Sequence, residues 1–139
     1  MSYTKIWVHV VWGTKGQQPI LVNGMRQQFL DQIVEQATVK DIEIHLVNCW
    51  MDHIHCLIRL KEGQNVAATV SEIKRNSSRW INLNKISEKR FSWDKDFFAA
   101  SVSEGNLNPV RNYILGQERQ HENRSYQQEI EAYFMPAGN

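Results

Sequence analysis

The chain has little of what would mark a stapled, membrane-spanning or strongly charged protein. Cys49 and Cys56 are the two cysteines in 139 residues. That is too few for a disulfide framework, and their spacing within a hairpin gives no reason to pair them, so they read as reduced, buried thiols. No apolar run approaches the roughly 18 to 20 residues needed to cross a bilayer. The N-terminus also lacks the basic start and small-residue cleavage site of a signal peptide. These absences lead to the expectation of a cytoplasmic protein with no membrane partner. An excess of one charge is missing too: the net charge is +1, whereas a domain that grips nucleic acid by charge alone is usually far more basic. With no internal repeat, low-complexity tract or linker, residues 1–139 read as a single domain with one core, burying roughly two-thirds of the unfolded surface.

The charge that is present is unevenly placed. Between residues 74 and 90 there are six basic side chains, Lys74, Arg75, Arg79, Lys85, Lys89 and Arg90, against Glu88 alone. The bland account of this patch is a solvated helix face and loop. It acquires a function only if a phosphate-handling site lies nearby.

Apolar periodicity orders the rest. Residues 5–12 alternate with β-branched and aromatic side chains and read as a first strand. Met25, Phe29, Leu30, Ile33, Val34 and Ala37 recur at helical spacing behind Asn23, an expected N-cap. Residues 42–49 and 53–60 are apolar runs joined by Trp50-Met51-Asp52, which suits a hairpin. Val66, Val70, Ile73, Ser77, Trp80 and Ile81 trace a second helix, and residues 97–103 a further strand. Asn108 as N-cap with Pro109 in the first helical position starts a third helix. Tyr126, Ile130, Tyr133 and Phe134 mark a short last helix that Pro136 ends. This order predicts an α+β, ferredoxin-like or RRM-like sandwich: a mainly antiparallel sheet with two helices on one face and the helix carrying Tyr113 on the other.

Within that frame, alternation along the second hairpin strand sends Ile54, Cys56, Ile58 and Leu60 to the core and His53 and His55 to the opposite face. Alternate strand side chains share a face about 7 Å apart along the chain, so two imidazoles can converge on one ion. On the third helix Tyr113 and Gln117 are i,i+4 neighbours, placing a phenol beside an amide oxygen. Each pair alone is weak evidence, because strand histidines and half-buried tyrosines are common. Their joint placement is stronger, since the third helix is predicted to cover the histidine face. A tyrosine beside a metal suggests phosphodiester chemistry. His121 falls on the same helical face and is a candidate auxiliary ligand or DNA contact. Asp52 is a further polar neighbour or simply a turn residue, and His9 and His45 read as structural histidines. Gly116 inside the helix implies local flexibility or close packing, at about 1 kcal/mol relative to alanine.

A series of motifs runs through most of the chain: His9-Val10-Val11-Trp12-Gly13-Thr14-Lys15, Met51-Asp52-His53-Ile54-His55, the stretch 73–82, Phe98-Ala99-Ala100-Ser101-Val102-Ser103, and Val110-Arg111-Asn112-Tyr113-Ile114-Leu115-Gly116-Gln117. In this order they resemble the single-tyrosine transposases of the HUH superfamily, particularly the bacterial insertion-sequence and REP-associated tyrosine transposases. The resemblance implies that His53, His55 and Gln117 hold a divalent cation, magnesium or manganese, and that Tyr113 attacks a phosphodiester of single-stranded DNA. The products would be a 5′-phosphotyrosyl link and a free 3′-hydroxyl. It further implies recognition of a DNA hairpin, phosphate contacts from Lys74, Arg75 and Arg79, and a homodimer in which the tyrosine helix can serve the partner's metal site. Three neutral ligands would leave nearly all the ion's charge for the transition state. Two rival expectations are a non-catalytic single-stranded nucleic-acid-binding α+β module and a metal-dependent hydrolase that uses water.

Overall fold

A computed structural model describes residues 2–121 and 124–135; Pro136, expected to end the last helix, lies outside them. Four strands, β1 (Ile6–Gly13), β2 (Glu43–Cys49), β3 (His53–Leu60) and β4 (Phe98–Val102), form one sheet in the order β2-β3-β1-β4. Every neighbouring pair is antiparallel. Helices α1 (Asn23–Val39) and α2 (Val66–Leu83) connect the strands as crossovers. After β4 come α3 (Leu107–Leu115), α4 (Gln117–Gln120) and α5 (Tyr126–Tyr133). This is the predicted ferredoxin-like α+β arrangement. No helix among the described residues is long and apolar enough to cross a membrane.

Alternation along the two central strands divides the interior. Val8, Val10 and Trp12 of β1 and Ile54, Cys56 and Ile58 of β3 pack with Phe29, Ile33, Val70, Ile73 and Ile81 of α1 and α2. On the opposite face Trp7, Leu57 and Val102 meet Val110 and Ile114 of α3, and Val11 meets Tyr126 and Ile130 of α5. Full burial of an aliphatic side chain is worth about 1.5–3 kcal/mol. Ile114 and Ile130, at 0% and 1% exposure, are therefore substantial anchors for the short helices that carry the site.

Several helix starts differ from expectation. Asn23 is the first residue of α1 rather than its cap, and its Oδ1 accepts a hydrogen bond from Arg26 Nη1 at 2.6 Å. The third helix begins at Leu107, one residue before Asn108, out of a 3-10 turn at Glu104–Asn106. Elsewhere capping follows the usual chemistry. Asn65 accepts from the Ala68 amide at the start of α2, and Ser125 and Gln128 form a reciprocal capping box on α5. That box fixes where α5 enters, and so where Glu129 points.

Candidate metal centre

His53 and His55 open β3 on the face turned away from α1 and α2, and both side chains are completely buried. Their register is held from both sides, with His53 opposite Gly13 and His55 opposite Val11 of β1, and His55 opposite Asn48 of β2. Asp52, in the turn before β3, lies 2.7 Å from His53 Nδ1. Behind His55, its Nδ1 is 2.9 Å from His9 Nε2. Burial lowers the pKa of His9 to about 3 and of His55 to about 4, so both imidazoles are neutral near pH 7. For His53, burial also works against charge, but the Asp52 and Glu129 carboxylates outweigh it and hold its pKa above the ordinary value.

The helices after β4 complete the centre. Gln117 Oε1 is 3.1 Å from His53 Nε2. His121 Nε2 lies 3.1 Å from His53 Nε2 and 3.2 Å from Gln117 Oε1. Glu129 Oε1 is 2.8 Å from His53 Nε2, 3.3 Å from His55 Nε2 and 3.2 Å from His121 Nε2. The carboxylate of Glu129 is fully buried. Burial alone would raise its pKa, but hydrogen bonds from His121, His53 and His55, in the states where these carry an Nε2 proton, hold the carboxyl well below the ordinary carboxylate range.

The orientation of these groups tests whether they fit a cation. The carboxylate of Asp52 and the carbonyl oxygen of Arg124, 2.8 Å from His121 Nδ1, accept hydrogen bonds and cannot donate them. They therefore place the protons of His53 and His121 on Nδ1. In the neutral imidazoles each Nε2 then presents a lone pair to the centre. Gln117 is fixed likewise: its Nε2 donates to Glu129 Oε2 at 3.1 Å, which aims Oε1 inward. Lone pairs of two imidazoles, an amide and a carboxylate thus face one another, an arrangement that only protons or a cation between them can stabilise. Ligands about 2.1 Å from a common ion stand about 3.0–3.4 Å apart, close to the separations observed here. His53, His55 and Glu129 form a buried group able to hold a metal ion.

Tyr113 borders the same centre. Its hydroxyl donates to Glu129 Oε2, and its ring lies 5.8 Å from that of His55 and 6.1 Å from that of His9. Burial, reinforced by the hydrogen bond and the negative charge of Glu129, pushes the phenol pKa up. Tyr133 stacks on Tyr113 at 4.5 Å between centroids, as Tyr126 does on His53. A cleft of about 420 Å³ lined by Ala100, Val102, Pro109, Val110, Tyr113 and Tyr133 among others leads to the phenol.

His53, His55, Gln117 and Tyr113, which the sequence singles out, are therefore together in one chain, and His121 joins them. Asp52 and His9 contact the histidines directly, so His9 is a member of the site's surroundings and not only a core residue. Lys74, Arg75 and Arg79 are not brought to this centre. They lie on α2, which packs on the other face of the sheet. Lys74 Nζ donates to the carbonyl oxygens of Asp94 and Asp96, Arg75 pairs with Glu72, and Arg79 is exposed. Glu129 was not anticipated. Its signal in the sequence is positional: with Tyr126, Ile130 and Tyr133 it falls at the i, i+3, i+4, i+7 positions of one helix face.

A four-stranded antiparallel sheet with two crossover helices behind it and a tyrosine helix in front defines the fold of the tyrosine transposases. The chain belongs to the IS200-like transposase family, whose model matches residues 2–117. Over 114 residues it is 24% identical to the ISDra2 transposase TnpA of Deinococcus radiodurans, spanning 78% of this chain and 81% of that protein. A crystal structure of a Deinococcus radiodurans protein described as a transposase superposes with a TM-score of 0.68 at 21% identity, covering 84% of this chain and 93% of the other. The structure of a REP-associated tyrosine transposase bound to a REP hairpin superposes with a TM-score of 0.65 at 16% identity, covering 98% and 86%.

Proposed function

We propose that this transposase cleaves and rejoins single-stranded DNA through a covalent 5′-phosphotyrosine on Tyr113, at a divalent metal site that includes His53, His55 and Gln117. The observation that carries the reading is the shared carboxylate. Glu129 accepts the Tyr113 hydroxyl on one oxygen while its other oxygen lies among the imidazoles. A phenol, an acceptor for its proton and a set of convergent ligands are thus in direct succession. A bound divalent ion, magnesium or manganese by family resemblance, would supply charge that polarises the phosphoryl oxygen and favours loss of the phenolic proton.

The residues of the chain divide the remaining work. Tyr113 Oη, aligned by its hydrogen bond to Glu129 Oε2, attacks phosphorus and gives up its proton to water. The bond from phosphorus to the 3′-oxygen breaks, and that oxygen takes a proton from water and leaves as a 3′-hydroxyl. In the reverse direction a 3′-hydroxyl of another strand attacks the phosphotyrosine, and the phenol recovers a proton. The phosphodiester bond energy is kept in the protein link, so joining needs no nucleotide cofactor. His9 and Asp52 orient the two imidazoles, in the way that partners of ligating histidines generally do. The cleft beside Tyr113, about 420 Å³ in volume, is where a nucleotide next to the scissile phosphate would lie.

The REP hairpin bound by the structural relative supports a DNA hairpin as the recognised element. Lys74, Arg75 and Arg79 would contact its phosphates away from the chemistry, positioning the DNA without reading bases. A homodimer would pair two sites, each already assembled within its own chain. Action on DNA supports the expectation of a cytoplasmic protein.

The test is denaturing electrophoresis of the protein incubated with manganese and single-stranded DNA labelled at either end. A labelled protein band only with the 3′-side label, lost on chelation, is the expected result. Cleavage without a labelled protein means water is the nucleophile, and binding without cleavage means a non-catalytic module.

A further inference from the structure

We propose that Glu129 and His121 are themselves ligands of the ion held by His53, His55 and Gln117, giving a five-donor site that favours a manganese- or zinc-type ion over magnesium. The inference rests on the metal-binding part of the proposed function but goes beyond it. Both residues lie past residue 117, where the match to the family ends.

Four observations carry it. His121 Nε2 is within 3.2 Å of three other inward-facing atoms, His53 Nε2, Gln117 Oε1 and Glu129 Oε1. Its Nδ1 proton is committed to the Arg124 carbonyl, so the lone pair has no direction but inward. The Trp50 ring stacks on His121, 13° from parallel, which holds the imidazole plane. Finally, a fully buried carboxylate is costly unless cations compensate it, and Glu129 Oε1 meets imidazole nitrogens from two strand residues and from His121, the residue that ends α4.

The donor set then decides the metal. Three imidazole nitrogens suit zinc, nickel or cobalt, and the oxygens of Gln117 and Glu129 add donors of the kind manganese takes, whereas magnesium demands near-ideal octahedral geometry and gives up its water reluctantly. The carboxylate brings one negative charge into a site otherwise made of neutral donors. This tightens binding of any divalent ion, and it lets the ion bind before DNA arrives.

The experiment measures metal binding by the intact chain without DNA, by calorimetry with manganese and by the visible absorption of the cobalt(II) complex. One equivalent of manganese should bind, at least about tenfold more tightly than magnesium, and Glu129→Gln and His121→Ala should each weaken it by at least about tenfold. Both variants should also shift the cobalt bands, a change in the coordination shell that a remote structural effect would not produce. The wild-type circular dichroism spectrum serves as the check on folding, and His121→Ala stands alone if Glu129→Gln does not fold. Manganese affinity within twofold of wild type in the folded variants, with binding lost in His53→Ala, overturns the added ligands but keeps the core site. Retention of binding in His53→Ala as well overturns the metal site of the proposed function itself. Magnesium bound as tightly as manganese overturns the preference.

Discussion

Replacing Tyr113 by phenylalanine removes a single oxygen and separates chemistry from architecture. The ring remains against Tyr133 and His55, so little packing is lost. The hydrogen bond to the Glu129 carboxylate disappears, and such charge-assisted bonds contribute about 1.5–3 kcal/mol. The effect should fall at or below the lower end of that range. Tyr113 is only half-buried, so water can replace the hydroxyl, and Gln117 Nε2 still donates to the same oxygen. A loss of about 1 kcal/mol in a chain of this length lowers Tm by about 3–4 °C, measurable by circular dichroism. Against that small structural cost stands complete loss of the covalent DNA adduct on a denaturing gel. Tyr126→Phe and Tyr133→Phe are the controls, because both phenols stand close to the same centre, and both variants should still form the adduct. The reasoning is refuted if Tyr113→Phe still yields labelled protein, or if the label is lost instead when Tyr126 or Tyr133 is changed.

Asp52→Ala removes the partner of His53 Nδ1 and should weaken metal binding about 10–100-fold, read by calorimetry; unchanged affinity would show that the turn carboxylate does not orient the ligand. Gly13→Ala places a methyl group 2.8 Å from the Tyr126 ring, so that buried ring must shift from His53 at a cost of about 1–3 kcal/mol, seen as a lower Tm. Arg79→Ala should weaken DNA binding and reduce its salt slope by about 1 while leaving adduct formation at saturating DNA intact. Burial raises the Cys49 thiol to about 12 and raises the Cys56 thiol as well. Thiolate forms as pH rises, so at pH 8 the Cys49 thiolate fraction is only about one in ten thousand, and a disulfide reagent should react quickly only after unfolding.

Much of this molecule was legible in its sequence because short-range periodicity governs it. The parity that sends Ile54, Cys56 and Ile58 one way and His53 and His55 the other is a property of an extended chain, and the sheet preserves it. The i,i+4 relation of Tyr113 and Gln117 also survived, even though the helix was read as continuous. It breaks at Gly116, with φ −87° and ψ 22°, yet Gln117 still lies back towards Tyr113, with its Nε2 3.4 Å from the Tyr113 carbonyl oxygen. Glu129 was harder to find because its role depends on contacts far along the chain, and a glutamate in a helix rich in glutamine and glutamate usually faces water. Lys74 and Arg75 show what composition leaves out. A run of basic residues does not disclose that Lys74 reaches two backbone carbonyls and that Arg75 pairs with Glu72.

The site has one fixed half and one hinged half. His53 and His55 stand on β3, an inner strand of the sheet, and cannot shift without unzipping hydrogen bonds on both flanks. The amide, the phenol and the acid ride on three short helices that follow the last strand, with a break at Gly116. Any rearrangement that admits a strand of DNA therefore falls on those helices. The two imidazoles are the fixed reference against which the phenol, the amide and the acid are placed.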